Sequence, residues 1–195
     1  MDPFELLVEA HRPAMKAVLA KLVHILSAHG VRYVIGGASA LSLYVRPRMT
    51  VDIDAFVDPA RKQEIDRLLA GQFDVISIGG FHSKFKSADV EIDILYAGAE
   101  AEDFAIASCR DAVILGTRLK AASPEALLWL YLVSEKELNF FDAVQLIRSV
   151  PGLDTAAVRK RLQQHDPVRL AKLDAMLSKA REPEISYEAS RARRS

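Results

Sequence analysis

The run Val90-Glu91-Ile92-Asp93-Ile94-Leu95-Tyr96 alternates over seven positions. In a strand, Val90, Ile92 and Ile94 share one face, and Glu91, Asp93 and Leu95 share the other. The apolar face belongs to a core, and an acid set between two isoleucines is costly if buried without a partner. A second run, from Thr50 to Val57, alternates in the same way and carries Asp52 and Asp54 on one face, with Val51, Ile53 and Ala55 on the other. Carboxylates two apart on one face repel unless a cation lies between them. If the two strands lie side by side, Asp52, Asp54 and Asp93 converge. A cluster of this kind suits divalent metal ions, which can hold the attacking and leaving oxygens of phosphoryl transfer. Glu91 shares the face of Asp93 and is the alternative third ligand.

The rest of the chain divides into a mixed front and a helical back. Val18, Leu19, Leu22, Val23 and Leu26 recur at helical spacing, and Gly30 stops that helix. His24 and His29 read as surface or satisfied histidines. Arg32 to Ile35 is a short β-rich run ending in Gly36-Gly37, and a helix is expected from Ala38 to Val45. Asp58-Pro59 opens a further helix. Strands are expected at Phe73–Ile78 and Phe81–Lys86, with a short one at Val113–Leu115. Ser123-Pro124-Glu125 is an N-cap, a first-position proline and an acidic first turn. Further helices are expected around Phe140–Ile147, Asp154–Gln164 and Pro167–Lys179. The expected segments are 1–30 (helical), 31–120 (α/β core), 121–182 (helical) and 183–195 (a basic tail).

Gly36-Gly37 sits where a strand turns into a helix. Glycine allows close backbone approach to a ligand, and free N–H groups at a helix start favour phosphate. The pair matches neither a dinucleotide fingerprint nor a Walker A loop. Ser39 and Ser42 lie on the first turns of that helix, with Ser39 the better phosphate donor. Arg48, and less so Arg46, could meet phosphate or offset the carboxylates. Lys84 shares a strand face with Lys86 and is the candidate to meet a triphosphate.

Composition narrows the function classes. The 195 residues carry 26 Lys+Arg and 26 Asp+Glu, which excludes a globally basic coat protein. The single Cys109 excludes an internal disulfide and a thiolate zinc site. No apolar run reaches the roughly 18 residues of a membrane span. An acidic N-terminus argues against a signal peptide, and a cytoplasmic setting is expected. The balance is uneven: residues 1–115 hold 12 basic and 16 acidic side chains, and residues 116–195 hold 14 and 10. Arg191, Arg193 and Arg194 close the basic side.

The ordered set Gly36-Gly37, a helix, Arg48-x-Thr50-x-Asp52-Ile53-Asp54 and a later strand Asp93 resembles the polymerase-beta-type nucleotidyltransferase superfamily. More narrowly it is similar to the abortive-infection nucleotidyltransferases of the AbiEii family, toxins of some bacterial toxin–antitoxin pairs. The resemblance covers about residues 30–97. It implies an α+β fold: a small mixed β-sheet flanked by helices, followed by a C-terminal helical region. It implies Mg²⁺ (or Mn²⁺) on Asp52, Asp54 and Asp93, with these three catalytic. It implies NTP phosphates on Gly36 and Gly37, attack on the α-phosphorus, and release of pyrophosphate. Implied acceptors are tRNA or other RNA, a protein or a small molecule, and a cognate antitoxin is an implied partner. Ser123-Pro124-Glu125-Ala126-Leu127-Leu128 resembles the family's Pro-Glu-Asp-Leu helix. Three positions depart from the pattern: Tyr131 replaces a lysine, Asn139 an acid, and Gly37 a serine; Asp142 matches the last acid.

Two function classes compete. One is a metal-dependent nucleotidyltransferase. The other is a catalytically weak or inactive relative that binds nucleotide or a partner. Keeping all three acids favours the enzyme. An Asp-x-Asp phosphatase of the haloacid-dehalogenase type is set aside because Phe56 stands where its threonine belongs. A metal-dependent glycosyltransferase is set aside on length.

Overall fold

The apolar strand faces meet in one mixed sheet whose two sides are covered by helices. The computed structural model describes residues 3–46, 50 and 52–183, with side chains from residue 12 onward. In chain order the elements are α1 (Pro3–Ala28), β1 (Tyr33–Ile35), α2 (Gly37–Leu41), β2 (Asp52–Val57), α3 (Lys62–Ala70), β3 (Asp74–Ile78), β4 (His82–Ser87), β5 (Val90–Tyr96), α4 (Glu100–Ala107), β6 (Arg110–Ile114), β7 (Thr117–Ala121), α5 (Pro124–Val133), α6 (Glu137–Ser149), α7 (Thr155–His165) and α8 (Leu170–Arg181). The strand order is β3-β4-β5-β2-β1-β7-β6. β2 runs parallel to β5, and β1 to β7; the other pairs are antiparallel.

Alternation sets the two faces of the central strands. Ile53, Ala55, Ile92 and Ile94 are fully buried on one face. Tyr96 on that face donates its hydroxyl to Asp66 of α3, which places α3 there. α1 packs on α3, β5 and β7, and buries Leu19, Leu22, Val23 and Leu26.

α5 is apolar all round, so it is buried all round. Residues Ala126 to Leu132 are buried among α2, α4, α6 and α7. Trp129 lies between Phe104 of α4 and His165 of α7, with ring centroids 5.6 and 6.2 Å apart. The Ser123 hydroxyl accepts from Ala126 N, as its position before Pro124 predicts.

α2 stops at Leu41, short of the expected Val45. Leu43 N and Tyr44 N bond three residues back, to Ala40 O and Leu41 O, so the chain tightens into turns. Two elements lack a counterpart in the sequence reading. α4 is preceded at its cap position by Ala99, which has no capping side chain; instead Glu102 Oε2 accepts from Gly98 N and Ala99 N. β7 pairs with β6 through a two-residue turn in which Leu115 and Gly116 both have positive φ.

Candidate active site

The register of β2 against β5 decides the chemistry. Asp54 stands opposite Asp93, and Asp52 opposite Glu91. Neighbouring strands lie about 4.8 Å apart, so side chains on the shared face crowd together. One carboxylate oxygen each from Asp52, Asp54 and Asp93 lie within 4.8 Å of one another. Asp93 is buried, and the other two are half-buried. Thr50 donates its hydroxyl to Asp52 Oδ1. Glu91 shares the face but is drawn to Lys84 Nζ at 2.9 Å. Oxygen donors this close suit a hard divalent cation, whose charge relieves their repulsion.

The glycine pair fits against this face. Gly37 has φ +53, and a Cβ there would fall 1.8 Å from Asp54 Oδ2. A Cβ at Gly36 would fall 2.5 Å from the Phe56 ring. Asp54 and Phe56 are neighbours on the same face of β2, so both glycines let the β1–α2 turn lie flat on it. The backbone at Gly37 thus reaches the carboxylates directly.

A cleft of about 480 Å³ opens over Gly37, Asp52 and Asp54. Asp52, Asp54, Phe56 and Leu95 form its sheet side, and Leu130, Tyr131, Ser134, Lys136 and Asn139 its helical side. The Tyr131 hydroxyl donates to Gly37 O at 3.2 Å and ties the two sides together. Asn139 Nδ2 donates to Ser134 Oγ at 2.7 Å. The end of α5 is held from behind. Lys172 Nζ donates to Tyr131 O at 3.3 Å, to Leu132 O at 3.0 Å and to Ser134 O. Arg169 donates to Leu132 O at 3.1 Å and to Glu135 at 2.6 Å. Burial pushes the Lys172 ammonium below the ordinary lysine value.

The expected site residues fall in different places. Asp52, Asp54, Asp93 and Gly37 come together. Lys84 stands beside Asp93 on β4, 3.5 Å from its Oδ1. Its hydrogen bond to Glu91 holds its pKa above the ordinary lysine value, against the opposing effect of burial. Ser39 is buried, and it is not among the described residues lining the cleft. Ser42 Oγ donates to Ser39 O. Arg48 lies outside the described residues, as do Arg191, Arg193 and Arg194. Two residues escape the sequence reading. His82 Nε2 lies 2.7 Å from Asp93 Oδ1. Lys136 is the one cation among the described residues that line the cleft. His82 shares the alternation of Lys84 and Lys86, a signal that was available.

No family model and no curated protein matches the chain. Solved structures do. The antibiotic-resistance factor ANT(2'')-Ia in solution is 19% identical, with a TM-score of 0.62, and the match covers 84% of this chain and 96% of that one. Its crystal structure in complex with adenylyl-2''-tobramycin is 18% identical, with a TM-score of 0.60, over 77% of this chain and 98% of that one. The lincomycin-bound lincosamide antibiotic adenylyltransferase LnuA is 16% identical, with a TM-score of 0.50, over 68% and 96%. At these identities the likeness is one of fold. The mixed sheet flanked by helices is the nucleotidyltransferase fold.

Proposed function

We propose that the chain is a nucleotidyltransferase that moves a nucleoside monophosphate from an NTP to an acceptor hydroxyl. The observation that carries this reading is the convergence of Asp52, Asp54 and Asp93, with Asp52, Asp54 and Gly37 lining the cleft. The three carboxylates would hold Mg²⁺ or Mn²⁺. A bound divalent ion neutralises charge on the phosphoryl oxygens and lowers the pKa of an oxygen nucleophile. The acceptor oxygen bonds to the α-phosphorus, the bond from that phosphorus to the bridging oxygen breaks, and pyrophosphate leaves. Asp93 takes the acceptor's proton. Lys136 offers a positive charge to the triphosphate, and Tyr131 fixes the Gly37 carbonyl.

The similar structures with bound adenylyl-tobramycin and lincomycin support a small-molecule hydroxyl as acceptor. The charge of the cleft narrows this. Outside Asp52 and Asp54 its described lining offers Glu102, Lys136, neutral polar groups and apolar side chains. The Glu102 carboxylate is already engaged by Gly98 N and Ala99 N. A polycationic acceptor therefore finds few counter-charges, and a neutral or anionic hydroxyl compound fits better. The narrower resemblance to abortive-infection toxins supports a different acceptor, RNA or protein, in a cytoplasmic toxin–antitoxin pair. Nucleotide binding without turnover is the competing class.

Calorimetry tests the metal reading. NTP affinity should depend on Mg²⁺, and equal affinity in excess EDTA contradicts it. Label transfer from an α-labelled NTP to small hydroxyl compounds, compared with RNA and protein fractions, separates the acceptor classes.

A further inference from the structure

We propose that His82 is a positioning residue that fixes the Asp93 carboxylate for its task at the cation. The proposal rests on the reading of Asp52, Asp54 and Asp93 as a divalent-metal site. The β4–β5 pairing sets Lys84 opposite Asp93 and His82 opposite Leu95. Alternation puts His82 and Lys84 on the sheet face of Asp93. From its diagonal place the His82 ring reaches Asp93 Oδ1 at 2.7 Å. Lys84 meets the same oxygen at 3.5 Å, but its shorter contact, 2.9 Å, is to Glu91. His82 is therefore the close partner of Asp93, and Lys84 is shared.

Both contacts fall on Oδ1. With Nε2 protonated, the ring donates a directed hydrogen bond to that oxygen and so sets the rotation of the carboxylate. Neither contact uses the second oxygen. Asp93 itself is 7% exposed, so bulk water does little to orient it. The His82 side chain is 47% exposed, and its loss leaves the core intact. Hydrogen-bond partners behind metal ligands typically change metal affinity or activity by about 10–100-fold when removed.

The test is calorimetric titration of Mn²⁺ alone into the full chain. His82→Ala should weaken Mn²⁺ binding about tenfold or more, with the unfolding midpoint near that of the wild type. His82→Gln, whose amide can donate to the same oxygen, should recover most of the affinity. Asp54→Asn is the control for the site itself. If Asp54→Asn loses Mn²⁺ but His82→Ala binds it as the wild type does, the positioning role is overturned and the metal site stands. If His82→Gln binds no better than His82→Ala, the hydrogen-bond argument is overturned. If Asp54→Asn also binds as the wild type does, the positioning role and the metal site fall together.

Discussion

At Gly37 the backbone takes φ +53 and runs so close to β2 that any Cβ would overlap the Asp54 carboxylate. Two effects therefore act on a substitution there: backbone strain in the left-handed region and displacement of the Asp54 carboxylate. Gly37→Ala should lower NTP turnover about 100-fold, the scale of an ångström-sized misplacement. It should cost about 1–3 kcal/mol of stability. Steady-state kinetics and denaturant unfolding check both numbers, and near-wild-type turnover contradicts the placement of Asp54. The three acids were legible in the sequence because period-two alternation fixes their faces without knowledge of the fold. The need for Gly36 and Gly37 was legible only as general backbone freedom. Its specific cause, the side chains of Asp54 and Phe56, depends on how β1 pairs with β2. The face of His82 was legible from its alternation with Lys84 and Lys86, but its contact to Asp93 was not, since it crosses a strand pair.

Asp58 illustrates how much an element's start signal carries. Its carboxylate accepts from Ala60 N at 2.9 Å and pairs with Arg32, opening the 3-10 turn that leads into α3. The Ala60 hydrogen bond, then that of Arg32, holds its pKa below the ordinary 3.8. Asp58→Ala should cost about 1 kcal/mol, the usual worth of such a cap. A carboxylate with a lowered folded pKa contributes in full above the unfolded value. The wild-type advantage should thus be constant above pH 3.8 and shrink as the pH falls through the folded pKa. Urea unfolding of both proteins across that range checks the sign. The start of α5 was equally readable, from Ser123-Pro124-Glu125. α4 was not, because its cap comes from Glu102 reaching back rather than from a side chain at Ala99. β7 was hidden by its turn, where Leu115 takes a positive φ more common for glycine or asparagine.

Across the whole molecule, the balanced charge conceals two halves with separate tasks. The acidic front holds the carboxylates over which the cleft opens. Part of the basic excess behind residue 115 works structurally: Lys172 and Arg169 satisfy carbonyls at the end of α5. Those bonds hold the segment that carries Tyr131, Ser134 and Lys136 against the sheet. The cleft therefore exists only where the sheet and the helical half meet, and neither half alone presents it. That assembly makes one quantity decisive: transfer of label from an α-labelled NTP, with pyrophosphate release, by the wild type and by Asp52→Ala with Asp54→Ala. The wild type should show Mg²⁺-dependent transfer and the double variant none, with its fold intact. Full transfer by the double variant would overturn the assignment of Asp52 and Asp54 to the metal site.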